Sequence, residues 1–144
     1  MNERERVLCE RLRAMESAET AEWLISEYPM GSKNWGEALV RIPHRSWGKP
    51  EQWSLARHYF GKVPYASAKP YEVFAQIMPP SRMAQVLDEF IPPSEPDKQL
   101  LLYHLYKVLA HSNVASQSVS VEVIALLAKL GVSASNNSLQ AWRP

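Results

Sequence analysis

A chain of 144 residues with 46% hydrophobic and 22% charged residues can bury a real core and is too apolar for wholesale disorder. Its single cysteine excludes an internal disulfide and the multi-cysteine metal motifs. A formal net charge of +1 excludes a uniformly basic chain, yet the charge is uneven. Residues 1–30 hold seven acids against four arginines, whereas residues 41–69 hold six bases and one acid, Glu51.

Helices are predicted near residues 3–16, 18–28, 34–42, 50–60, 70–78, 80–91, 96–111 and 119–130. The first opens on alternating charges where a signal peptide would need a basic start and an apolar stretch, so a cytosolic setting is expected. Cys9, between Leu8 and Leu12, reads as a small packing residue. From the second helix on, four apolar residues recur at i, i+3, i+4, i+7. The sets are Ala21/Leu24/Ile25/Tyr28, Trp35/Ala38/Leu39/Ile42, Tyr71/Phe74/Ala75/Met78, Met83/Val86/Leu87/Phe90 and Val123/Leu126/Leu127/Leu130. That spacing makes one stripe on a helix and falls on both faces of a strand. The helix at 96–111 has its own stripe in Leu101, Leu102, Leu105, Val108 and Leu109.

Helix ends carry their own signals. Pro50, Pro70, Pro80 and Pro96 stand where a first helical turn needs no N–H. Ser17, Asn34 and Ser118 or Ser120 are expected N-caps, and Gly61 and Gly131 expected left-handed closures. The longest purely apolar run, Val123–Ala128, is too short to span a bilayer, so no membrane is expected. The fold expected is all-α, a compact bundle or short array of seven to eight short helices. It forms a single domain over 1–131, followed by a polar tail over 132–144 in which only Leu139 and Trp142 are large and apolar.

The chemistry-bearing residues point away from catalysis. There is no glycine-rich phosphate loop, H-E-x-x-H, G-x-S-x-G or paired-cysteine pattern, so neither cofactor nor metal is expected. His104 and His111 stand two turns apart, roughly 10 Å, too far for one metal ion to bridge. His44 and His58 are the candidates for a small enzyme, the latter on the polar side of its helix with Glu51 and Ser54. The most distinctive stretch is Ile42-Pro-His-Arg-Ser-Trp-Gly-Lys-Pro-Glu-Gln-Trp. Arginine and tryptophan dominate binding hot spots, so the residues expected to bind a partner are Arg41, His44, Arg45, Trp47, Lys49 and Arg57. Trp53, in line with Ala56 and Phe60, is expected in the core. A nucleic-acid-associated helical protein is the alternative, disfavoured by spaced bases and a near-neutral total.

The run Trp35-Gly-Glu-Ala-Leu-Val-Arg-Ile-Pro-His-Arg-Ser-Trp, with Pro64-Tyr-Ala-Ser-Ala-Lys-Pro-Tyr-Glu-Val-Phe-Ala further on, resembles the immunity proteins of bacterial contact-dependent growth inhibition systems. The resemblance covers roughly residues 30–110. It implies a cytosolic, non-catalytic protein that binds one cognate toxin domain and blocks it. Nuclease-directed immunity proteins often present acidic surfaces. The basic corner here therefore implies either an acidic toxin surface or contact through the acidic helices at 3–28.

Overall fold

The computed structural model describes residues 2–112 and 120–131, the side chains of 110–112 excepted. Eight α-helices lie among the described residues, with no strand. They are α1 (Glu3–Ala14), α2 (Ser17–Glu27), α3 (Glu37–Arg41), α4 (Lys49–Phe60), α5 (Lys69–Ile77), α6 (Pro80–Leu87), α7 (Glu95–Ser112) and α8 (Val121–Lys129). Single 3-10 turns, Ile42–His44 and Asp88–Phe90, extend α3 and α6. The fold is therefore all-α. Among the described residues no helix is long and apolar enough to cross a membrane.

Local chemistry accounts for most of the helix ends. Asn2 caps α1, its side chain accepting from Glu5 N at 2.8 Å. Glu3 and Glu5 in the first turn and Arg11 and Arg13 in the last complement the helix dipole. Pro70 and Pro80 occupy first turns, and Ser120 caps α8 by accepting from Val123 N. Gly131, at φ 111°, is the glycine with positive φ among the described residues, so Gly61 closes α4 without left-handed backbone.

Two expected caps fail. α2 is preceded by Glu16 with no side-chain cap bond, because the Ser17 hydroxyl instead accepts from Gly48 N at 2.9 Å. α3 begins after Gly36, and the turn before it closes through the Asn34 backbone carbonyl, not its side chain. Ser118, Leu139 and Trp142 lie outside the described residues, as does the side chain of His111.

The contacts of the described residues gather into two compact units, divided between Tyr59 and Phe60. In the first, the α2 stripe buries Ala21, Leu24 and Tyr28 and the α3 stripe buries Ala38, Leu39 and Ile42. Trp35 stays half-buried with its ring 6.5 Å from that of Tyr59. The Tyr59 hydroxyl donates to the Tyr28 carbonyl at 3.1 Å, satisfying a group left over at the end of α2. Cys9 is buried, as a packing residue should be, and that burial, followed by the nearby Glu5 charge, pushes its thiol pKa up.

In the second unit α6 packs most extensively on α8, and α5 on α7. Met83, Val86 and Leu87 of α6 and Val123, Leu126 and Leu127 of α8 are buried, as is Leu130 just beyond it. Burial of each such aliphatic side chain contributes about 1.5–3 kcal/mol. Phe60, Tyr65, Tyr71 and Phe74 form an aromatic cluster, with Phe60 and Phe74 rings 4.8 Å apart and Tyr65 and Tyr71 rings 5.4 Å apart. Lys129 and Asp88 pair on the surface.

Candidate functional site

The basic segment enters the first unit at the end of α3, and its first cations turn inward. Arg41 is buried. Its Nη2 pairs with Glu5 Oε1 at 2.9 Å, its Nη1 donates to the Glu37 carbonyl at 2.9 Å, and its guanidinium lies 5.2 Å from the centre of the Tyr28 ring. This ion pair ties the 3-10 end of α3 to α1. It is incompletely satisfied, since Glu5 Oε2 and Arg41 Nε are buried with no hydrogen-bond partner.

Arg45 caps the end of α1. The last carbonyls of a helix have no partner within it, and here Arg45 Nη1 donates to Leu12 O at 3.0 Å and Met15 O at 2.8 Å. The same nitrogen reaches Thr20 Oγ1 at 2.8 Å, and the Thr20 hydroxyl donates in turn to Glu16 O at 2.8 Å. That network explains a fully buried threonine at the start of α2. The guanidinium, whose hydrogen bonds run from its edge, also lies over the Trp47 ring, 4.8 Å from its centre.

Trp47, expected among the partner-binding residues, is enclosed within the corner. It is only 7% exposed, and its Nε1 donates to the Ile42 carbonyl at 2.9 Å. A tryptophan on a short loop can fill the space behind it once its one polar atom has a partner. His44 is half-buried and offers its backbone carbonyl to Arg13 Nη1 at 3.5 Å.

The remaining cations face outward. Lys49 and Arg57 are exposed, and Trp53 lies between them at four-residue spacing on α4. Residues so spaced form one slowly turning stripe. It runs along the edge of the buried face made by Leu55, Ala56 and Tyr59. The Arg57 guanidinium stacks 5.0 Å from the centre of the Trp53 ring. Trp53, expected in the core, is thus half-buried: its indole lies at the rim, where one face is covered by a cation. The i, i+4 spacing of Trp53 to both Lys49 and Arg57 was the signal that marks it as a surface residue.

His58 does not share the wet face with Glu51 and Ser54. It is half-buried, its ring is edge-to-face with Tyr59 at 4.5 Å, and its Nε2 has neither solvent nor a hydrogen-bond partner. Burial lowers its pKa below the ordinary 6.5, outweighing a hydrogen bond to the Tyr28 backbone that raises it. A neutral imidazole fits such a place because protonation would create a buried N–H without an acceptor. Among the described residues no three of His, Cys, Asp and Glu converge on one point.

Of the six residues expected at a partner-binding site, Arg41, Arg45 and Trp47 are therefore held together by contacts within the unit. Lys49 and Arg57 are presented to solvent, with Trp53 between them. The site has the chemistry of a docking strip for an acidic surface: two cations and a flat aromatic edge. Comparison of the chain with protein-family models, curated proteins and solved structures finds no match.

Proposed function

We propose that this chain is a non-catalytic binding protein that neutralises a cognate bacterial toxin domain in the cytosol. The α4 stripe of Lys49, Trp53 and Arg57 docks on an acidic patch of that domain. The carrying observation is the Arg57 guanidinium stacked on a half-exposed Trp53. Such a pair offers contact area, little side-chain entropy left to lose, and a charge that still reaches outward. The resemblance of the runs at 35–47 and 64–75 to contact-dependent immunity proteins supplies the class of partner. The enclosed Nε2 of the half-buried His58 supports a binding role over a general base, since that nitrogen has neither solvent nor a hydrogen-bond partner.

Titration calorimetry against the toxin domain encoded immediately upstream tests the reading. Binding is expected to be equimolar, and inhibition to saturate at equal concentrations. The double variant Trp53→Ala/Arg57→Ala should bind at least about 30-fold more weakly while remaining folded. Full affinity in that variant would move the interface off α4. Sub-stoichiometric, time-dependent inactivation of the toxin, lost in one histidine variant, would replace binding by catalysis.

A further inference from the structure

Helix α1 carries four arginines with different fates. Arg6 pairs with Glu3, and Arg13 donates toward the His44 carbonyl. Arg4 and Arg11 are exposed, and their guanidinium groups engage no partner among the described residues. They stand seven residues apart, two turns and about 10 Å along the axis, on the same side of the helix as Val7 and Leu8. These four residues, with Glu3, line a shallow open groove of about 340 Å³. Val7 is 45% exposed and Leu8 half-buried. The groove thus has an apolar floor with an unengaged cation at each end. Among the described residues its one carboxylate, Glu3, is already paired with Arg6, and Glu10 projects about 100° round the helix from Arg11.

We propose that this groove is a second protein-binding site whose occupant is an acidic amphipathic helix of a partner protein. An apolar side chain sits on Val7 and Leu8, and two carboxylates about two turns apart meet Arg4 and Arg11. Charge selects this occupant. Pairing with α1 of a second copy is excluded by charge: antiparallel α1 helices centred on Val7 and Leu8 bring Arg4 against the other copy's Arg11, and parallel ones bring like against like. A phosphate backbone would satisfy the arginines and leave the apolar floor bare. Exposed ion pairs add little affinity singly, so the apolar contact holds the helix and the arginines orient it.

The test is fluorescence anisotropy of the full chain with a labelled, alanine-based helical peptide. The peptide carries a central leucine with a glutamate one turn before and one turn after it on the same face. Saturable binding is expected. It should weaken by about tenfold or more when lysines replace the glutamates, when serine replaces the leucine, and in the Val7→Ser chain. The Arg4→Glu/Arg11→Glu chain should lose the glutamate peptide and gain the lysine peptide, a swap that a misfolded variant would not produce. Trp53→Ala should bind the glutamate peptide normally, which separates this groove from the α4 stripe. The proposal is overturned if the wild-type chain does not saturate up to about 1 mM, or if the lysine peptide binds it equally well. It is also overturned if an anionic oligonucleotide displaces the peptide with an affinity that Val7→Ser leaves unchanged.

Discussion

The corner at residues 41–47 and the stripe at 49–57 come from one basic, aromatic segment, and their cations end in opposite circumstances. In the corner, Arg41 meets a carboxylate, Arg45 meets the open carbonyls of α1, and Trp47 is sealed behind them. On the stripe the backbone polar groups are consumed within α4, and the exposed Arg57 lays its guanidinium over the face of Trp53. Each cation goes where unpaired acceptors are, and helix ends and loops have them whereas helix middles do not. A basic sequence segment therefore divides into charge that builds the fold and charge that is presented.

That division predicts large stability effects in the corner and large binding effects on the stripe. Trp47→Ala should show the greatest loss of stability, about 4 kcal/mol from lost burial and the cavity left behind. Chemical unfolding monitored by circular dichroism measures it, and an unchanged midpoint would place Trp47 on the surface after all. Arg45→Ala should follow at about 3 kcal/mol, because it removes one donor from the Leu12 and Met15 carbonyls and from Thr20 Oγ1 together. Arg45→Lys should restore less than half of that, since an ammonium cannot stack on Trp47 while bridging both carbonyls.

Arg41→Ala should cost about 2 kcal/mol. Removing one partner of a buried ion pair costs more when the other is fully enclosed, and here the Glu5 side chain keeps 31% of its exposure. Parity between Arg41→Ala and Arg57→Ala would erase the contrast between the two regions.

On the stripe the order reverses. Arg57→Ala should change stability by less than about 1 kcal/mol. Its toxin affinity, read by calorimetry, should fall by about 2 kcal/mol. Lys62→Ala, beyond the stripe, should leave both unchanged.

The smallest effect concerns pH. His58 has a folded pKa below 6.5 through burial, so between that value and 6.5 the unfolded chain binds the extra proton. Its contribution to stability is complete above pH 6.5 and is lost as pH falls through the folded pKa. Unfolding midpoints at about pH 7.5 and about pH 5.5 should therefore lie closer together in His58→Gln than in the wild type. An unaltered gap would mean that the Nε2 of His58 is hydrated.

Much of the architecture was legible because amphipathic spacing is a local property. All five apolar stripes are mostly buried, and Val123, Leu126, Leu127 and Leu130 are buried without exception. Proline at Pro70 and Pro80 and the turn at Gly131 act through fixed φ or its absence, which neighbours do not alter. Caps were less legible. The Ser17 hydroxyl had two available donors, and the distant Gly48 N–H won over the N–H groups of its own helix.

The candidate site was the least legible part. The residue types were visible in the sequence, but Arg41 and Arg57 look alike there. Only the tertiary structure brought Glu5 to Arg41, from 36 residues away, and the end of α1 to Arg45. The sequence by itself determined the helices, their buried faces and where the charge is carried, because side-chain period and backbone preference act within a few residues. Which charges are neutralised inside the fold and which are offered to a partner was decided by contacts between distant segments. A cation is satisfied by whatever acceptor folding places within about 3 Å, and no local pattern records that distance.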